Sequence, residues 1–225
     1  MAKKIVKVRK IRFFRLFLLL LTLAAIVFFA YIALKIHTKN IIIKGNTYLN
    51  DEDIIKMANL EDYPPFLFIN SWKIERVLKN NKYIKTAEVN KNFFYTITIT
   101  IKEHDVLFKN SNNKYVLENS SEITSNKNIR VPRLVNYTPE DKYKKLITNM
   151  SEIDKGVLGK ISEISYDPND FDKDRFLLLM DDGNSVFLTL TKFEMINYYN
   201  DVLGQLEGRK GILYLDSGNH FKIME

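Results

Sequence analysis

Residues 16–34 (LFLLLLTLAAIVFFAYIAL) run for nineteen positions without a charge, and the fifteen residues ending at Arg15 carry Lys3, Lys4, Lys7, Arg9, Lys10, Arg12 and Arg15 with no acid. A helix rises ~1.5 Å per residue and a hydrocarbon core is ~30 Å thick, so such a run crosses a bilayer once with its backbone groups satisfied internally. By the positive-inside rule the basic start holds the N-terminus in the cytoplasm, which puts everything after Leu34 on the far side. A cleaved secretory signal has the same order of charge and apolar run. Its apolar region is shorter, ~7 to 15 residues, and ends in small residues, whereas here Ile32 stands between Ala30 and Ala33. An uncleaved membrane anchor is the expectation.

The net charge of +7 would ordinarily suggest a nucleic-acid partner. All of it resides in the first fifteen residues, and the remainder balances 27 basic against 27 acidic side chains, leaving no net field with which to collect phosphates. The basic residues beside the apolar run are topology determinants with some attraction to anionic lipid. The chain has no cysteine, so disulfides, thiolate nucleophiles and zinc-thiolate sites are excluded. Residues 35–225, 191 in number, suffice for two small domains with ordinary cores.

Ile41, Ile42 and Ile43 before Gly45 and Asn46 read as a short strand ending in a turn. Asn50 followed by Asp51, Glu52 and Asp53 predicts a capped helix through Ile54, Ile55 and Ala58, stopped by Pro64 and Pro65. An apolar link, residues 66–69, leads to Asn70 or Ser71 as cap of a second helix with Ile74, Val77 and Leu78 at helical spacing. Residues 86–89 form a strand. In the next, residues 95–103, Ile97, Ile99 and Ile101 alternate with polar positions, the period of a sheet with one wet face.

From Val106 the pattern changes to short strands broken by Asn, Ser and Gly. Strands are expected at 114–117 and 130–135, with a turn at 118–121 between them. Thr138, Pro139, Glu140 and Asp141 predict a helix start with a hydroxyl cap, Pro in the first position and early acids. Strands follow at 161–166 and 176–180, and Asp182 and Gly183 turn the latter into a third at Val186, Phe187 and Leu188. A helix over 191–207 closes on Gly208, then a strand over 212–215, a turn at Gly218 and Asn219, and a last strand over 220–224.

The five elements after the apolar run, with Ile43-Lys44-Gly45-Asn46, Phe66-Leu67-Phe68, Ile84, Ala87, Val89 and the Thr-rich strand into Glu103, resemble the POTRA domain of the FtsQ/DivIB family of bacterial cell-division proteins. Residues 211–218 (GILYLDSG) and Asp181-Asp182-Gly183-Asn184 resemble the β-domain that follows it there. The resemblance implies an α+β chain: a cytoplasmic basic tail at 1–15, a transmembrane helix at 16–36, a POTRA domain (β-α-α-β-β) at 37–104 and a strand-rich mixed β-domain at 105–225. It further implies a non-enzymatic divisome scaffold without cofactors. Such a scaffold binds the bitopic proteins FtsL and FtsB/DivIC outside the membrane at the septum, and through them helps recruit or regulate the septal peptidoglycan synthase. Two positions depart from the family pattern, which has proline where this chain has Phe94 and Val106; both residues are expected to be extended without the ring.

No constellation for catalysis emerges from the residues. Leu215-Asp216-Ser217-Gly218 has the form of an aspartic-protease half-site, but that chemistry needs two carboxylates sharing a proton, and no second Asp-Ser/Thr-Gly occurs. Asp216 therefore reads as a turn former, with a membrane-anchored protease as a remote alternative and a POTRA-bearing export or assembly chaperone as the nearer one. His37, His104 and His220 lie in separate elements without metal-ligand spacing and are expected to be solvated or loosely packed. Asp167, Asp170, Asp172 and Asp174 lack the Gly and final Glu of a calcium loop. Trp72, in the first turn of a helix, is expected to be partly buried in the core.

The function then lies in binding, and the last strand is the candidate surface. If it borders its sheet, its outer N–H and C=O groups can accept a partner strand. The resemblance points to the same strand, since the family's terminal strands receive FtsB/DivIC. Leu215, Phe221 and Ile223 are the expected side-chain anchors, Tyr214 a neighbour, and Lys222 the position where proline would delete an edge N–H. The competing expectation is that Phe221 and Ile223 simply pack into the core.

Overall fold

A computed structural model of the chain describes residues 13–125, 127–206 and 208–224. Lys3, Lys4, Lys7, Arg9, Lys10 and Arg12 of the basic start lie outside these, as does Glu207, the expected helix end. The apolar run lies within helix α1 (Phe13–Lys35), none of whose residues is buried. Its 23 residues reach ~35 Å, enough to cross a membrane.

The chain divides into two units, one formed by residues up to Asn80 with Thr86–Ile101, the other by Asn81–Lys85 with residues from Lys102 onward. The first contains, after α1, strand β1 (Asn40–Lys44), helices α2 (Asp51–Met57) and α3 (Ser71–Lys79), and most of strands β2 (Ile84–Asn92) and β3 (Thr96–Glu103). The three strands make one sheet in the order β1-β3-β2, with β1 parallel to β3 and Asn40 opposite Thr96. The expected alternation holds: Ile97, Ile99 and Ile101 are buried, and Ile54, Ile74 and Leu78 from the helices, with Leu60 from the turn after α2, pack this unit's interior. Gly45 is required at the end of β1, because it takes φ +83° and a Cβ there would lie 2.1 Å from the Ile101 carbonyl oxygen.

Several local expectations are corrected. Helix α2 ends at Met57, well before Pro64, with Asn59 in the left-handed region at φ 53°. Asn50 makes no side-chain cap there, whereas Asn70 does cap α3, accepting from the Lys73 amide at 3.1 Å. Residues Phe66–Phe68 form a 3₁₀ turn. Phe94 is not extended: its φ of 61° and the 59° of Tyr95 put both in the left-handed region, a conformation proline cannot take. Trp72 is 61% exposed and carries the Arg76 guanidinium 3.9 Å above its ring, so it is a surface residue rather than a core one.

The second unit is built on a nine-stranded sheet. Its strands are β4 (Val106–Lys109), β5 (Tyr115–Leu117), β6 (Glu122–Ile123), β7 (Arg133–Leu134), β8 (Ile161–Tyr166), β9 (Arg175–Met180), β10 (Ser185–Thr189), β11 (Gly211–Tyr214) and β12 (His220–Ile223). They are ordered β12-β11-β10-β9-β8-β7-β4-β5-β6. Three joins, β4–β7, β7–β8 and β10–β11, are parallel and need crossovers; β5 and β6 lie on the way from β4 to β7. Helices α4 (Glu140–Ser151) and α5 (Lys155–Leu158) carry the chain from β7 to β8, and residues 190–205 carry it from β10 to β11. Leu146, Ile147 and Met150 of α4 and Phe193, Ile196 and Tyr199 of the second crossover bury one face of the sheet, against Phe108, Val116, Ile164, Phe176, Leu178, Val186 and Leu213.

The single helix expected over 191–207 is a 3₁₀ stretch, Leu190–Tyr198, broken at Lys192, followed by helix α6 (Tyr199–Gln205). Pro139 occupies the cap position of α4 rather than its first turn, and the buried Thr138 hydroxyl caps nothing. The strand expected at 130–135 shrinks to the two residues of β7, while β6 and α5 were not anticipated.

Candidate functional site

Strand β12 lies at the border of the nine-stranded sheet. It pairs antiparallel with β11, Gly211 opposite Ile223, Ile212 opposite Lys222, Leu213 opposite Phe221 and Tyr214 opposite His220. Beyond them, the Met224 amide donates to the Lys210 carbonyl at 3.0 Å. Bonded and non-bonded pairs alternate along an antiparallel ladder. Lys222 and His220 are therefore bonded to β11, and the N–H and C=O of Phe221 and Ile223 point to the open edge. The sequence-based choice of Lys222 as the edge donor is corrected by this parity.

The side chains divide by face. Phe221 and Ile223 share the core side with Leu213 and Gly211. Gly211 makes room for Phe221, since a Cβ there would stand 2.7 Å from the ring and 2.1 Å from the Lys222 carbonyl oxygen. Phe221 is partly buried against the core, while Ile223 is 46% exposed. Leu215 is only 5% exposed and belongs to the core, so it is withdrawn as a surface anchor.

On the opposite face the strands carry a ladder the sequence did not reveal. The Arg175 guanidinium lies 3.7 Å over the Phe187 ring, Phe187 stacks on Tyr214 with centroids 5.4 Å apart, and Tyr214 stacks on His220 at 4.7 Å. Arg175 is fixed by ion pairs to Asp216 at 2.9 Å and Asp167 at 3.0 Å. Each member sits on a successive strand, so the ladder runs from the sheet interior to the open edge. Two of its rings flank the Gly218 turn in sequence, a signal for pairing that could have been read; the distant Arg175 gave none.

Asp216 is thus held by Arg175 and by the Ser217 hydroxyl, which donates to its other oxygen at 3.0 Å. It is a structural carboxylate rather than a bare turn former, and its engagement with a guanidinium argues against proton-sharing chemistry.

A second network fixes the start of β11. Asn184, buried after the Asp182-Gly183 turn, accepts from the Gly211 amide at 2.8 Å and donates to the Tyr199 hydroxyl at 3.0 Å. That hydroxyl donates in turn to Asp182, at 2.8 and 2.9 Å to its two oxygens. Burial, then the bond to Asp182, pushes the Tyr199 hydroxyl far above the usual tyrosine range, so it stays a donor. The two motifs quoted from the second half of the sequence are in this way tied to each other.

His37 and His220 are exposed, as expected, whereas His104 is engaged. His104 Nδ1 lies 2.9 Å from Glu118, which also binds Lys85 at 2.9 Å, and His220 is stacked as described. Burial pushes the Glu118 carboxyl upward, but the bonds from Lys85 and His104 outweigh it and hold it below the usual range. In the acidic run, Asp167 serves Arg175 and Asp174 pairs with Lys142. Among the described residues no group of His, Asp and Glu is arranged to hold a metal ion.

A family profile described as POTRA domain, FtsQ-type, matches residues 36–104. The chain is similar to the cell division protein DivIB of Listeria monocytogenes, 29% identical over 196 residues that cover 81% of this chain and 71% of that protein. DivIB of Bacillus subtilis is 28% identical over 190 residues, covering 80% and 72% respectively. The solved major extracytoplasmic domain of DivIB from Geobacillus stearothermophilus aligns with 47% of this chain and 96% of that one, at 24% identity and a TM-score of 0.40.

Proposed function

Because this chain belongs to the FtsQ/DivIB family of bacterial cell-division proteins, we propose that it acts without catalysis, as a membrane-anchored divisome scaffold whose open β12 edge receives a strand from an FtsB/DivIC-like partner. Helix α1 anchors it with the N-terminus in the cytoplasm. Residues 37–104 form the POTRA domain and 105–225 the partner-binding domain, both outside the membrane at the septum. FtsL-like and FtsB/DivIC-like bitopic proteins are its direct partners, and the septal peptidoglycan synthase is engaged through them.

The observation that carries this reading is the parity of β12. Phe221 and Ile223 offer outward backbone donors and acceptors, with exposed Ile223 and the rings of Tyr214 and His220 on either face to grip alternate side chains of an added strand. Lys222 contributes a solvated side chain and its bond to β11. The test is co-purification of the full-length chain with FtsL-like and FtsB/DivIC-like proteins. Ile223→Pro removes an outward N–H while sparing every β11 bond, and should weaken capture on the order of tenfold, ~1.4 kcal/mol. Undiminished capture by a folded Ile223→Pro protein would reject the edge as the site.

A further inference from the structure

The membrane-proximal end of the first unit bears aromatic residues that its own fold leaves uncovered. Phe93 and Phe94, between β2 and β3, are 90% and 85% exposed, and Phe68 in the 3₁₀ turn is 68% exposed. The backbone spends conformational strain to hold the first group out, with Phe94 and Tyr95 both in the left-handed region. Phe66 and Tyr95 pack edge to face at 5.6 Å and join the two groups into one cluster.

The cluster is bonded directly to the chain as it leaves α1. The Phe66 amide donates to the Ile36 carbonyl at 2.8 Å, Thr38 donates to Pro64 at 3.1 Å, and Lys39 donates to Tyr95 at 2.9 Å. Parallel pairing of β1 with β3 enforces this placement, because both strands then begin at the end where α1 delivers the chain. The apolar run stops at Leu34, and Lys35 lies 4.5 Å over the Tyr31 ring, an arrangement suited to a bilayer interface. A headgroup layer is ~5 to 8 Å thick and one extended residue spans ~3.5 Å, so a segment bonded to Ile36 lies within that layer.

We propose that Phe93, Phe94 and Phe68 insert into the phospholipid interface of the leaflet where α1 ends, giving the domain a second membrane contact beside its helix. Phenylalanine on an apolar surface buries at the boundary between headgroups and acyl chains. Lys39, over the Tyr95 ring at 5.6 Å, and Lys91, over Phe66 at 4.8 Å, supply cations at the level of lipid phosphates. Exposed Glu61 and Asp62 precede Pro64, so apolar insertion rather than net charge drives the contact. The inference rests on the reading of α1 as a retained membrane anchor.

The absence of cysteine permits single-site labelling of the full-length chain. An environment-sensitive fluorophore is placed at Phe93→Cys, at Phe68→Cys, at Ala24→Cys within α1, and at Lys44→Cys at the far end of β1. The proteins are reconstituted alone in phosphatidylethanolamine–phosphatidylglycerol vesicles with spin-labelled lipids. The expected result is loss of most emission at positions 93 and 68 with a spin label near the headgroup, loss at 24 with a label deep in the chain, and little loss at 44. Quenching at 24 without quenching at 93 or 68 would overturn the inference and leave the anchor intact. Absence of quenching at 24 would overturn the anchor and the inference together. Shielding of 93 and 68 only when another membrane protein is co-reconstituted would overturn it in favour of a protein partner.

Discussion

The two borders of the nine-stranded sheet differ in length, in regularity and in what ties them down. At one, β6 is two residues long, and its Glu122 is tied to Lys114 at 3.3 Å and accepts from Asn110 at 2.8 Å. At the other, β12 holds four residues in unbroken register with β11. Short, charge-tied edges resist pairing with another chain, whereas a regular exposed edge invites it. The proposed partner strand would occupy the regular edge. The lesson is that an edge is made available by what fixes it from behind: Arg175, Gly211 and the Asn184–Tyr199–Asp182 network secure β10 and β11 and leave β12 free on its outer side.

The comparison is broken most severely by Arg175→Met, which strips the guanidinium from a nearly buried Asp216. Denaturant unfolding should show a loss of roughly 3 kcal/mol, typical of leaving one buried charge of a pair uncompensated. Hydrogen exchange should accelerate at β10 to β12 before β5 and β6. Gly211→Ala comes next. Its Cβ meets the Lys222 carbonyl oxygen and the Phe221 ring, so β12 should detach at a cost of about 2 kcal/mol, within the range for overpacking, with loss of partner capture. Exchange rates at β5 and β6 should stay unchanged, which separates this variant from a global unfolding.

The blunt end is probed by acid. The Glu118 carboxyl, which follows β5, is held below its ordinary 4.5, so it contributes stability at pH values above that point and loses the contribution as pH falls through its lowered folded value. Glu118→Gln should reduce stability at neutral pH by about 1 kcal/mol or less and flatten the pH dependence below about 4.5, as read from thermal melts across pH. The smallest stability effect belongs to Ile223→Glu. Substitution at this half-exposed edge should shift unfolding by no more than about 0.5 kcal/mol while weakening partner capture, a dissociation that a residue serving only the core would not show.

Much of the framework was legible because it rests on periodicity and turn chemistry. The alternating Ile97, Ile99 and Ile101, the tight turn at Gly45 and the Asp182-Gly183 hairpin each follow from one local rule. What escaped depends on distant neighbours. Strand β7 is brief because it has only short parallel pairings on either side, and the break at Lys192 lies inside a segment whose composition reads as continuous helix. The family's proline position predicts an extended Phe94 and residue type predicts a partly buried Trp72, yet one lies in a left-handed turn and the other under an arginine. At the site, alternation told which side chains share a face. It could not tell which backbone groups of β12 face outward, because that parity is set by pairing with β11, and it points to Lys222 where Phe221 and Ile223 are the outward positions. Nor could it show that Leu215, apolar and adjacent to Tyr214, turns into the core.

The central claim is that β12 accepts a partner strand through Phe221 and Ile223. Residue-resolved amide hydrogen exchange of the full-length chain, alone and mixed with the proposed FtsL- and FtsB/DivIC-like partners, tests it directly. The account predicts that the Phe221 and Ile223 amides exchange fast in the free protein and become strongly protected in the complex, while Lys222, already bonded to β11, is protected in both. A complex that forms with Phe221 and Ile223 still exchanging at their free rates would contradict it.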